Sequence, residues 1–157
     1  MKKLVLTLAL VGAMLAGVIS PSYAFLDKTR FVAHLGIAYF VFHHWVMNPY
    51  QEGKFNAGAP HRTASLVKAG VAMLFAVHEV KVSEKIAHNS KDPLLQKLDG
   101  AVGGLGTSFA AVGTKLKSGH FDPKDVESLK ALTGSIGSTA AAGGATIKDV
   151  PVPVPGT

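Results

Sequence analysis

The feature that most constrains the fold of this chain is the set of proline and glycine residues that interrupt its helical stretches. Asp-Pro pairs stand at 92–93 and 122–123, and each joins an N-cap acceptor to a proline suited to the first helical position. Pro49 and Pro60 bracket a loop that contains two glycines, and Pro49 is expected to stop the preceding helix. These breaks predict four helices, at about 27–48, 60–89, 92–118 and 122–141.

No stretch of the sequence competes as a β-strand. Residues 150–155 alternate valine with proline, and proline cannot donate to a strand ladder. We therefore expect an all-α fold, a small bundle of four helices built as two helical hairpins, with an extended tail over 146–157. The first helix is apolar almost all round between Phe31 and Met47, which predicts that it lies at the centre of the bundle.

The first 24 residues predict a cleaved secretory signal peptide. Lys2 and Lys3 precede an apolar stretch, Leu4 to Ile19. Ser20 and Pro21 break that stretch, and Ser22-Tyr23-Ala24 places small residues where signal peptidase needs them. Cleavage there would leave a helical domain at 25–145 plus the tail, and would lower the formal net charge from +6 to +4. We expect a secreted protein, located outside the cell, in the cell wall or in the periplasm.

Several chemistries are excluded by composition. The chain has no cysteine, which excludes disulfides, thiolate metal sites and a cysteine nucleophile. After loss of the signal the basic residues are scattered, without the cluster that is typical of nucleic-acid binders, so no nucleic-acid partner is expected.

The sequence contains no catalytic motif that is complete. His78-Glu79 begins like the zinc-protease motif HExxH, but Val82 occupies the second ligand position. Gly104 and Gly106 resemble part of a dinucleotide-binding loop, but Phe109 stands at the third glycine and no strand precedes it. We therefore expect a protein that is not an enzyme.

The seven histidines raise the alternative of a haem- or metal-binding protein. An antiparallel hairpin of helices one and two would bring His34 close to His78, the arrangement of bis-histidine haem ligation in a bundle. His43, His44 and His61 form a second possible metal site near the loop. A histidine on an apolar face is more often a core residue, so no cofactor is expected, with haem or a transition metal as the alternative.

Aromatic residues concentrate in the first helix and the loop after it. One helix cannot bury every side in a small bundle, so some of them would form an apolar patch that contacts a protein partner or a second copy. This aromatic-rich hairpin is the expected site of binding or self-association, and its candidate residues are Phe31, Tyr39, Phe40, Phe42, Trp45 and Tyr50. A further alternative is a membrane-active or envelope-inserted protein, because the apolar helix 31–47 reaches the short limit for a bilayer span.

Helices three and four are rich in glycine, alanine and serine. The segment Gly103–Ser108 is echoed at Gly134–Thr139. Glycine costs about 1 kcal/mol of helix propensity, so its retention usually marks a close helix approach. The repeat predicts that helices three and four pack face to face through their small residues.

Overall fold

The computed structural model describes residues 23–157, and within that range the chain is helical apart from its loops and tail, with no strand. Helix α1 comprises residues 23–42, a π-helical turn at His43–Met47 and a last turn at Asn48–Gln51. It is followed by α2 (Arg62–Asn89), α3 (Pro93–Lys117) and α4 (Pro123–Ala142), and residues 143–157 form the tail. The expected all-α bundle of four helices is confirmed. The predicted signal peptide lies outside the described residues, except for its last two.

Helix α1 does not stop at Pro49. Proline lacks an N–H group, and its ring crowds the carbonyl four residues before it. The π turn lies directly ahead of this proline, and in it the backbone N–H of Asn48 bonds to the carbonyl of His43, five residues back. The wider turn lets the chain stay helical as far as Gln51, so the predicted end at Asn48 is too early.

Both Asp-Pro pairs start helices as predicted. The carboxylate of Asp92 accepts the backbone N–H groups of Leu94 and Leu95, and Asp122 accepts that of Lys124. These bonds satisfy donors that the first turn of a helix otherwise leaves unpaired. The two helices therefore begin within one residue of their predicted starts.

Helix α1 contacts the three other helices, which confirms its central position. The ring of Phe42 lies 5.8 Å from that of Phe109 in α3. The hydroxyl of Tyr39 donates to the carbonyl of Thr133 in α4 at 2.7 Å. The contact with α2 includes the hydroxyl of Ser83, which donates to a backbone carbonyl of α1.

Three glycines of α3, Gly103, Gly106 and Gly113, lie against α2, and no glycine of α3 lies against α4. A Cβ atom at Gly113 would lie 3.0 Å from the Cβ of Met73, and one at Gly70 would lie 2.3 Å from the backbone nitrogen of Lys117. In α4, a Cβ at Gly134 would meet nothing within 4 Å. The predicted face-to-face packing of α3 and α4 through glycine is therefore wrong, because the close approach belongs to α2 and α3.

The C-terminal tail crosses the outer side of α1, from the side of α4 to α2. The backbone N–H of Val150 donates to the carbonyl of Gly36 at 3.0 Å, and a Cβ at Gly36 would lie 2.3 Å from the carbonyl oxygen of Lys148. Further on, Val154 is buried, and the tail approaches Val71 of α2. The tail thus covers part of the one side of α1 that no helix covers.

Candidate functional site

Half of the aromatic residues expected on an interaction surface belong to the core. Phe31 and Phe42 are fully buried and Tyr39 is nearly so. The reason is the central position of α1, whose inward sides face the other helices. These three residues are therefore corrected from surface to core.

The other three aromatics stay partly exposed. Phe40 stacks on His44 with ring centroids 5.2 Å apart, and Trp45 meets the same imidazole edge-on at 5.1 Å. Tyr50 packs against Phe121 at the loop end of the bundle. Phe40, the exposed His44 and Trp45 therefore form a small aromatic surface on the outer side of α1.

The pairing expected of His34 with His78 is replaced by a different contact. His34 Nδ1 lies 2.6 Å from Glu79 Oε2, and the carboxylate is mostly buried. His78 is the neighbouring residue on α2, and it is exposed because successive side chains on a helix point in different directions. The hairpin register predicted for α1 and α2 is thus close, but the partner of His34 is a carboxylate.

The second predicted histidine group does not assemble either. His43 Nδ1 lies 2.8 Å from Asp149 Oδ2 of the tail, His44 stacks between aromatic rings, and His61 precedes α2 in a left-handed conformation. Within residues 23–157, no three side chains of His, Asp or Glu are grouped so that they could hold a metal ion.

A shallow cleft of about 500 Å³ lies between α1, α4 and the tail, beside the pair of His43 and Asp149. Burial, with the carboxylate of Asp149 as a second cause, raises the pKa of the Tyr39 phenol well above its ordinary value. The Tyr39 hydroxyl donates to a carbonyl of α4, so it serves to join two helices.

The largest outward apolar surface lies on the first hairpin. Among the described helices, only α2 is long and apolar enough to cross a membrane, a property that core helices of soluble proteins share. Only half of its most apolar 18 residues are buried. Its outward side carries Val67 and Val82, which are exposed or half-exposed, and also Val71, which the end of the tail approaches.

Cations flank these valines. Lys68, Lys81 and Lys85 are exposed on α2, whereas its two acidic residues, Glu79 and Glu84, are buried or partly buried. We call this outward surface of α1 and α2 the hairpin face. Its residues are Leu26, Arg30, Val67, Lys68, Val71, Lys81, Val82 and Lys85.

The groove between α1 and α2 is open at one end of the hairpin face. The end of the tail reaches Val71 of α2, and toward the start of α1 the groove forms a cleft of about 400 Å³. The cleft is lined by Asp27, Arg30, Val82, Lys85, Ile86 and Asn89. Beyond it, the start of α1 exposes Tyr23 (68%), Phe25 (70%) and Leu26 (54%). Together with Val67 (36%), these are the exposed large apolar side chains of residues 23–157, and all four lie on the first hairpin.

Charge on this side of the molecule is predominantly positive. Arg30, Lys68, Lys81 and Lys85 take part in no ion pair within the described part of the chain. Lys28 does form an ion pair, because its Nζ lies 3.0 Å from Oδ2 of Asp92. The open cleft therefore combines apolar walls with two cations and a single carboxylate.

The sequence pattern points to the aromatic residues and not to the valines and lysines of the hairpin face. A signal was present, since lysines at 68, 81 and 85 mark the outward side of an otherwise apolar helix, and valines 67, 71 and 82 lie beside them.

The chain matches no protein-family model, and no curated protein or solved structure shows significant similarity to it.

Proposed function

We propose that this protein is exported, is not an enzyme, and acts by binding a partner through the hairpin face. The observation that carries the proposal is the concentration of exposed large apolar side chains on one hairpin of a domain with an otherwise closed core. Three of them, Tyr23, Phe25 and Leu26, lie together at the start of α1, and clustered exposed apolar side chains commonly mark an interaction site. The proposed binding surface is the hairpin face together with the exposed Tyr23 and Phe25 at the start of α1, with Phe40 and Trp45 at its margin.

Self-association is the weaker form of this proposal. A symmetric dimer would pack the same patch against itself. The exposed lysines 68, 81 and 85 of one copy would then face those of the other, and α2 offers no exposed carboxylate to pair with them. A partner of different chemistry fits the hairpin face better.

The absence of cysteine gives a direct test of the binding surface. Single variants Val67→Cys and Lys81→Cys place a thiol on the hairpin face, and Thr107→Cys and Ser135→Cys place matched exposed thiols on α3 and α4. Maleimide labelling is compared between purified protein and intact exporting cells. A face occupied nine-tenths of the time should be labelled about tenfold more slowly in cells.

The control thiols should be labelled equally fast in both samples after correction for access of the reagent. Equal labelling of all four sites in cells and in solution would contradict the proposed surface. Export is tested separately, because cleavage after Ala24 predicts a mature N-terminus at Phe25. An exported protein whose N-terminus is Met1 would refute the cleavage.

A further inference from the structure

We infer that the partner of the hairpin face is an anionic lipid bilayer; this rests on the proposed function and names its partner. The first support is charge. The exposed cations Arg30, Lys68, Lys81 and Lys85 lie on one side of the bundle, and Asp27 is the one acidic residue that lines the open cleft. Anionic headgroups attract such clusters by about 1 kcal/mol for each Lys or Arg near the surface.

The second support is the kind of apolar residue and its position. Phe25 and Leu26 lie at the start of α1 and are more than half exposed. Aromatic and leucine side chains with basic neighbours are typical of surfaces that insert into the boundary between headgroups and acyl chains. After the predicted cleavage, both residues remain, and the new α-amino group adds one more positive charge beside them.

The third support is the order of the chain. The predicted signal peptide directly precedes this end of α1. Signal cleavage takes place at a membrane, so it releases the domain with Phe25 and Leu26 at the bilayer surface. The end of the molecule that carries the exposed apolar residues is thus the end that export delivers to lipid.

The test uses the processed protein, purified after export, and two kinds of vesicle. One kind contains phosphatidylcholine alone, and the other contains equal parts of phosphatidylcholine and phosphatidylglycerol. Sedimentation with the mixed vesicles and not with the neutral ones is expected. Binding should weaken as salt rises, because the screening length falls from about 10 Å at 0.1 M to about 3 Å at 1 M.

Charge variants identify the face that binds. The double variant Lys81→Glu/Lys85→Glu should bind the mixed vesicles at least about 30-fold more weakly, from the loss of two cationic contacts. The matched control Lys97→Glu/Lys117→Glu makes the same charge change at exposed positions of α3 and should bind almost as the parent does. Leu26→Gln should weaken binding about tenfold without changing the charge. Circular dichroism checks that each variant is folded.

Three outcomes would overturn the inference: binding to neither vesicle, equal binding to both, or equal losses in the two double variants. The labelling experiment separates this failure from that of the proposed function. Slow labelling of the thiols at 67 and 81 in cells, without vesicle binding, would leave the hairpin face as a binding surface for a protein. Fast labelling at both positions would refute the surface itself.

Discussion

The second hairpin, α3 and α4, carries its helix signals in its own sequence, whereas the first hairpin, α1 and α2, does not. Asp92 and Asp122 cap the two helices of the second hairpin through their side chains. In the first hairpin, α2 follows His61, whose φ is 56° and whose side chain makes no cap, and α1 contains a π turn. The helices of the first hairpin therefore depend more on tertiary packing than on local signals.

The surfaces of the two hairpins differ in the same way. The second hairpin exposes both signs of charge, with Glu127 and Lys130 among its outward residues. The first hairpin exposes cations beside valine, leucine and phenylalanine. One half of the molecule thus carries its helix signals locally, whereas the other half depends on packing and exposes apolar side chains beside cations.

The joint between the hairpins is where the largest loss of stability is expected. Phe109 of α3 is fully buried, with its ring against that of Phe42. Phe109→Ala should lower the free energy of unfolding by about 3–5 kcal/mol in urea titrations. Phe40→Ala, at the outer side of α1, should cost about 1 kcal/mol. Equal losses in the two variants would contradict the placement of Phe40 at the surface.

The close approach of α2 and α3 gives the next largest effect. A Cβ at Gly70 would lie 2.3 Å from the backbone nitrogen of Lys117, and backbone cannot yield as a flexible side chain does. Gly70→Ala should destabilise by about 2–3 kcal/mol. Gly134→Ala on α4, where the added methyl meets nothing within 4 Å, should stabilise by about 0.5–1 kcal/mol. A gain of stability at Gly70 would refute the close approach.

The two aspartate caps differ in what they join. Asp122 only caps α4, whereas Asp92 caps α3 and also pairs with Lys28 of α1. We expect Asp122→Ala to cost about 1 kcal/mol and Asp92→Ala about 2 kcal/mol in thermal unfolding. Equal costs would show that the ion pair with Lys28 adds nothing to the cap.

The pKa of Asp92 also leads us to expect a specific change of stability in acid. Burial alone would raise the pKa of its carboxyl group, but the ammonium of Lys28 and the backbone N–H groups of Leu95 and Leu94 together lower it below the ordinary value of 3.8. A lowered folded-state pKa means that the stabilisation is complete above the ordinary pKa of 3.8 and is lost as the pH falls from there through the folded-state pKa. Urea unfolding of Asp92→Asn should therefore show a shallower loss of stability in acid.

Sequence reasoning succeeded where the signal was local. The Asp-Pro pairs act within a single turn, so the starts of α3 and α4 could be placed. The end of α1 could not, because the π turn before Pro49 depends on the packing of His43–Met47. Propensity alone does not show whether a helix absorbs a proline or stops at it.

Which side of a helix is buried, and against which partner, was harder to predict than where the helix lies in the sequence. Helix α1 is apolar all round, so its sequence has no periodicity to separate the buried Phe31 from the partly exposed Phe40. Glycines predict a close approach but not the partner, which is α2 for Gly113. Gly36, where the tail lies, could have been suspected as a second such approach, because it is the one glycine in a helix of large residues.

The smallest expected effect lies at the exposed pair of His88 and Asp99, which joins α2 to α3. The hydrogen bond from the imidazole to Asp99, with the carboxylate charge as a second cause, raises the pKa of His88 above its ordinary value of 6.5. A raised folded-state pKa means that the contribution is full below 6.5 and disappears as the pH rises through the folded-state value. Solvent screens this exposed pair, so the contribution is small.

His88→Gln should therefore lower stability slightly in mild acid and leave it unchanged in alkali, as measured by thermal unfolding across that range. Asp99→Asn is the matched change on α3, and it removes the same pair while leaving the imidazole in place. Since α2 ends near His88, part of any effect belongs to the favourable charge at a helix C-terminus. That part would survive in Asp99→Asn and be lost in His88→Gln. The loss in Asp99→Asn therefore measures the ion pair itself, and the additional loss in His88→Gln measures the favourable charge at the helix end.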